Sequence, residues 1–166
     1  MKNEVLIRTA TADDFDQLLD LFTEVAEERV WIGTEPGFNR DAYRLGWKRL
    51  TEDQSGFLII ALDGESLVGT LSAHPDSEHG CEVGMLVKSS HRGKGIGSAL
   101  LREAIRWARE RGEPSLRLLV FPHNATAIGL YERYGFKKEK RIERFKRRQT
   151  GETWDVIVMS LELDSA

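Results

Sequence analysis

Apolar and polar positions alternate along this chain in two rhythms. Phe15, Leu18, Leu19, Phe22 and Val25 fall three or four apart, which predicts a helix from about Ala12 to Arg29 with Thr11 and Asp14 as a capping pair. A second helical stretch covers Arg40–Leu50. Short apolar runs predict strands at Val5–Thr9, Gly56–Leu62, Ser66–His74 and Cys81–Val87, and Asp63-Gly64-Glu65 reads as a hairpin turn. Ile96, Leu100, Leu101, Ala104, Ile105 and Ala108 return to helical spacing until Gly112 stops the helix. A strand over Leu116–Phe121, a short helix after Asn124, and two closing strands at about Lys137–Lys146 and Thr153–Leu163 complete the pattern. The expectation is one mixed, mostly antiparallel sheet of about seven strands flanked by about four helices, α/β by one convention and α+β by another.

Between the strand ending at Val87 and the helix at Ile96 stands Arg92-Gly93-Lys94-Gly95-Ile96-Gly97-Ser98. Glycines let a backbone approach an anion closely, and a helix N-terminus offers unpaired N–H groups and a favourable dipole. The segment reads as a pyrophosphate cradle, with Arg92 and Lys94 adding charge. It is neither a P-loop nor a dinucleotide fingerprint, because no Gly-x-x-x-x-Gly-Lys-Ser/Thr occurs and Ser98 stands where a third glycine or alanine belongs. A plain glycine-rich turn is the alternative.

Further on, Asn124-Ala125-Thr126-Ala127-Ile128-Gly129-Leu130-Tyr131-Glu132-Arg133-Tyr134-Gly135-Phe136 follows a strand. Arg-x-x-Gly-x-Gly after one strand, then Asn-x-x-Ala-x-x-Leu-Tyr-x-x-x-Gly-Phe after the next, resembles the GNAT superfamily of acyl-CoA-dependent N-acetyltransferases. The start at Ile7 to Asp14 and the strand near Met159 extend the resemblance over nearly the whole chain.

The resemblance implies direct transfer of an acetyl group from acetyl-CoA to an amine, without an acyl-enzyme. The pantetheine arm would lie between the strand ending at Val87 and the strand Leu116–Phe121. A backbone N–H among Met85, Leu86 and Val87 would polarise the thioester carbonyl. Asn124 falls on a position that serves CoA or its loop, and it reads equally as a helix N-cap. Tyr131 falls on the position whose hydroxyl commonly serves as general acid to the departing thiolate. A tyrosine is a weaker acid than a thiol, so hydrogen bonding describes it better than full proton transfer. Relatives that acetylate protein N-termini carry a glutamate where this chain has Leu119, which leaves the base open, and Glu82 is the carboxylate candidate. Neutralising an alkylamine at pH 7 costs about 4.6 kcal/mol against about 1 for an α-amine, so a weak base suits α-amines better.

In this superfamily the irregular segment Val30–Phe38 lines the acceptor site. Trp31 and Glu35 would offer an aromatic face and a carboxylate to an ammonium group, while Trp31 reads also as a loop anchor. Composition bounds the rest. A chain of 166 residues with no repeat or linker suits a single domain spanning residues 1–166. One cysteine excludes an intrachain disulfide, and four scattered histidines make no metal motif, so no metal is proposed. No signal peptide or membrane span is evident, which predicts a cytoplasmic protein with no membrane partner. A net charge of −3 does not look like a nucleic-acid binder, and the basic run Lys137–Arg148, interrupted by Glu139 and Glu143, reads as a charged strand edge. The expected partner is an amine acceptor, small molecule first and peptide or protein N-terminus second, and homodimers are common among such folds. A non-catalytic acyl-CoA-binding module is the other class.

Overall fold

The computed structural model describes residues 4–53, 55–76 and 80–164. Seven strands, β1 (Leu6–Thr9), β2 (Phe57–Asp63), β3 (Ser66–Asp76), β4 (Gly80–Val87), β5 (Ser115–Val120), β6 (Lys137–Arg147) and β7 (Thr153–Glu162), form one sheet in the order β1-β2-β3-β4-β5-β7-β6. Every neighbouring pair is antiparallel except β4 and β5. Helices α1 (Phe15–Glu27) and α2 (Arg40–Glu52) cover one face, and α3 (Ile96–Arg111) and α4 (Ala125–Arg133) belong to the other.

The apolar periodicities explain both faces. Leu18 and Leu19 of α1 and Trp47 of α2 meet Leu58, Ile60 and Leu86 on the first face. Leu100, Leu101 and Ala104 of α3 meet Leu71, Val83 and Leu116 on the second. Leu18, Leu19, Leu100 and Leu101 are fully buried, each contributing about 2 kcal/mol of transfer free energy. Cys81 is buried among the second set, and burial pushes its thiol up to about 12.

Helix α1 is shorter at both ends than its periodicity predicts. A turn of 3-10 helix at Ala12–Asp14 precedes it, with the buried Asp14 carboxylate accepting from the Thr11 N–H (2.7 Å) and from both Arg8 terminal nitrogens (2.8 and 2.9 Å). It stops at Glu27 because Arg29 takes a left-handed φ of 58° and turns the chain into the next loop. Strand β6 holds the other departure. Its register with β7 breaks between Ile142 and Lys146, where Arg144 takes a φ of 52°. The Asp155 carboxylate fastens this bulge, accepting from the Arg144 N–H (3.0 Å) and from Arg141 Nε (2.8 Å).

Candidate active site

The cleft starts where two strands part. β4 and β5 pair only at Cys81–Leu116 and Glu82–Arg117, whereas β4 stays paired with β3 up to Val87. Past Glu82, the backbone groups of β4 that face β5 have no strand partner in that direction, which makes them available to a ligand. Beyond Val87 a turn at Ser89–His91 leads through Arg92–Gly95 into α3. Gly95 caps the helix with φ 83°, a conformation that costs a side-chain-bearing residue about 1–2 kcal/mol. At Gly97 a Cβ would stand 3.2 Å from Leu130 Cδ2 and 3.4 Å from Met85 Cε, so glycine lets α3 sit close to β4 and α4. The N–H groups of Ile96, Gly97 and Ser98 open a helix of 16 residues and lack intrahelical acceptors. Free donors, an aligned dipole and Lys94 suit a diphosphate.

Arg92 departs from the expectation that it adds charge for phosphate. Its two terminal nitrogens grip the Glu28 carboxylate at 2.7 Å each, and its Nε donates to the Val87 carbonyl at 3.0 Å. Its guanidinium also lies 6.0 Å from the Trp31 ring. The charge is engaged in tying the cradle to the end of α1, and these bonds hold the Glu28 carboxyl below the usual carboxylate range. His91 makes a second tie, its Nε2–H donating to Asp63 Oδ2 (2.9 Å) at the β2–β3 hairpin. Arg102 of α3 donates from Nη1 to the hydroxyl of Tyr134, the residue just after α4 (2.9 Å).

A cavity of about 340 Å³ fills the fork. Val83, Gly84, Met85 and Leu86 form one wall, Leu119, Val120 and Phe121 another, and Trp31, Ile32 and Gly33 close it from the early loop. Tyr131 and Asn124 line it together. Asn124 also caps α4, its side chain accepting from the Ala127 N–H at 3.2 Å, which bears out the N-cap reading of this residue. Tyr131 is 7% exposed, and burial pushes its hydroxyl up to about 12.

The remaining sequence candidates sit differently. Trp31 lines the cavity and is also anchored, its Nε1–H donating to Glu28 at 3.3 Å. Glu35 is absent from the lining. Its carboxylate accepts twice from the Gln149 N–H (3.1 and 3.2 Å) and pairs with Arg148 Nε (3.3 Å), which draws it toward the β6–β7 turn and away from a substrate ammonium. Glu82 is exposed and lies outside the lining, although β3–β4 register is unbroken and strand alternation puts it on the face of Gly84 and Leu86. Sequence reasoning missed Phe145 and Lys146, which the β6 bulge brings into the cavity wall, and Arg148, whose guanidinium stacks 4.1 Å from the Trp154 ring. The one local signal was the charged run itself, which carries no glycine to mark a bulge.

A parallel pair splaying around a cavity, followed by a glycine loop and a helix N-terminus, defines an acyl-CoA transferase fold. Residues 15–136 match the acetyltransferase (GNAT) family, and the chain belongs to it. YwnH of Bacillus subtilis (strain 168), which bears the provisional name phosphinothricin acetyltransferase, is 29% identical over 140 residues, 78% of this chain and 82% of that protein. The crystal structure of ribosomal-protein-alanine N-acetyltransferase from Brucella melitensis is 28% identical with a TM-score of 0.86, covering 95% of this chain and 99% of that one. The Sinorhizobium meliloti phosphinothricin acetyltransferase, solved with acetyl-CoA, shares the fold at 20% identity and a TM-score of 0.85, over 100% of this chain and 91% of its own. The protein is thus an acetyl-CoA-dependent acyltransferase acting on an amine acceptor. Among the described residues no helix is long and apolar enough to cross a membrane.

Proposed function

We propose that this enzyme moves an acetyl group from acetyl-CoA to the primary amine of a small molecule. The observation that carries this reading is the loop tied across the acceptor end of the cavity. The early loop is strapped over it, with Ile32 O accepting from Arg148 Nη1 (3.1 Å), Pro36 O from Gln149 Nε2 (2.7 Å) and Val30 O from His123 Nε2 (2.6 Å). Such a wall suits a compact acceptor more than an extended chain. Two of the named relatives carry phosphinothricin acetyltransferase in their names, which agrees. The Brucella relative's protein substrate favours a second reading, acetylation of a peptide N-terminus.

In this reading the N–H groups of Gly93–Ser98, with Lys94, hold the pyrophosphate. A β4 backbone N–H among Met85–Val87 polarises the thioester carbonyl as its oxygen gains charge. Asn124 steadies the pantetheine side of the fork. Tyr131 donates a hydrogen bond to the sulfur as it leaves. With the hydroxyl at about 12 and a thiol near 8.5, complete proton transfer would be uphill by about 5 kcal/mol, so the proton that finally reaches sulfur comes from the positively charged nitrogen of the tetrahedral adduct, which collapses to the neutral amide and free thiol. The acceptor amine loses its first proton to water, with Glu82 at the rim of the same sheet face receiving it through that water.

The test is acetyl-CoA-dependent thiol release against amino acids, polyamines, aminoglycosides and short peptides. Turnover of one small-amine class is expected, with Tyr131→Phe lowering kcat about a hundredfold at little change in the KM for acetyl-CoA. Turnover of peptides alone would transfer the assignment to the second reading.

A further inference from the structure

Among all the described residues that line the cavity, Lys146 alone carries a charge. The rest are apolar, aromatic or neutral polar, so the pocket meets its acceptor with one cation and no carboxylate. Such a wall offers an ammonium group aromatic faces but no counter-charge, whereas it offers an anion a cation. Lys146 is placed there by the bulge that Asp155 fastens, and its ammonium forms no hydrogen bond or ion pair among the described residues. Gly33 lies beside its stem, with Lys146 Cε 4.0 Å from where a Cβ on residue 33 would stand, an ordinary van der Waals distance.

A second feature lies behind this wall. Two residues along, the Arg148 side chain is 2% exposed and its buried Nη2 has no hydrogen-bond partner among the described residues. Its partner Glu35 is shared with the Gln149 N–H, and Arg148 Nη1 holds Ile32, itself part of the cavity wall. A buried polar nitrogen left unpaired costs about 1–3 kcal/mol, so Arg148, whose charge is matched by Glu35, still keeps an unused donor behind the wall.

We infer that Lys146 is the anion-binding residue of the acceptor pocket, and that the acceptor is a small primary amine carrying a carboxylate on an apolar or aromatic body. This rests on the small-amine reading above. The carboxylate meets the Lys146 ammonium, Arg148 holds the Ile32 part of the wall in place, and Trp31, Phe121 and Phe145 flank the apolar part. Holding the carboxylate at the β6 end directs the amine toward the fork between β4 and β5, where the thioester is polarised.

The experiment compares phenylalanine with phenylalaninamide and phenethylamine as acceptors, reading kcat/KM from thiol release in the parent, Lys146→Ala, Lys146→Glu and Lys146→Arg. The acid-to-amide ratio of kcat/KM should fall about tenfold in Lys146→Ala, fall further in Lys146→Glu and recover substantially in Lys146→Arg, which separates a charge role from a packing role. Folding is checked by melting temperature, and acetyl-CoA affinity by calorimetry. A ratio unchanged within about twofold across all three variants overturns the inference while leaving small-amine acetylation in place. No turnover of any small amine by a parent that binds acetyl-CoA overturns both.

Discussion

The two ends of the cleft are built in opposite ways. At the proposed donor end the groups offered to a ligand are backbone amides, held by a left-handed glycine at 95 and by α3, whose Ile96 and Leu100 are anchored in the core. At the acceptor end a loop after α1 and a turn after β6, more than a hundred residues apart in sequence, are joined by side-chain tethers through Arg148, Gln149 and Arg29. The donor end therefore depends on conformation and is indifferent to most surface side chains. The acceptor end depends on a few particular side chains and can be relined by changing others. One scaffold can keep a fixed acyl donor while its acceptor differs.

The sharpest way to break this contrast is at Gly95. Gly95→Val forces a β-branched residue to φ 83°, and acetyl-CoA affinity measured by calorimetry should drop more than about a hundredfold as the loop rearranges. Full affinity in that variant would show that side chains, not backbone conformation, hold the donor. Arg148→Met tests the other end. It leaves the largely buried Glu35 carboxylate without its ion-pair partner, so stability should fall by about 2–4 kcal/mol in urea titration. The acceptor KM should rise while acetyl-CoA affinity holds, and an equal loss of both would merge the two ends into one unit.

The smallest effect concerns the tie between them. The Arg92–Glu28 pair is about one-third exposed on each side, at 34% and 29%, so solvent screening limits it to about 1 kcal/mol. Because hydrogen bonds from Arg92 lower the folded-state pKa of Glu28, its contribution is complete above the unfolded value of about 4.3 and disappears as pH falls through the lower folded value. Urea titrations taken from neutral to about pH 3 should show this acid loss in the parent and a smaller one in Glu28→Gln. Identical acid limbs would mean that the tie adds nothing.

The same contrast governs what could be read from the chain in advance. Strand runs such as Phe57–Leu62 and the stripe Leu100, Leu101, Ala104 reveal themselves locally, because burial on one face imposes a period on nearby residues. The glycine turn into α3 is legible for the same reason, since glycine spacing and a helix start lie within one short segment. Glu35 and Arg92 are different. Each carries a charge whose partner, Arg148 or Glu28, is set by tertiary proximity, so local chemistry pointed Glu35 at an ammonium and Arg92 at a phosphate. Lys146 was hidden by a bulge formed at Arg144, an ordinary residue held in a left-handed conformation by Asp155 from the neighbouring strand. Helix α4 lies between these cases: its motif announces Asn124 and Tyr131, while only the fold brings both to one cavity.

Cys81 gives the chemistry a safeguard. An enzyme that handles a thioester risks acylating itself by exchange with any thiolate of its own, which would trap the acetyl group and compete with the amine. With its thiol pushed up to about 12, Cys81 is thiolate in only about one part in 100,000 at pH 7, and that fraction is sealed beneath α3. The chain's only sulfhydryl is thus a spectator, and the free thiol that accumulates during turnover is that of the released coenzyme, which is why a thiol reagent can count turnovers without counting the protein.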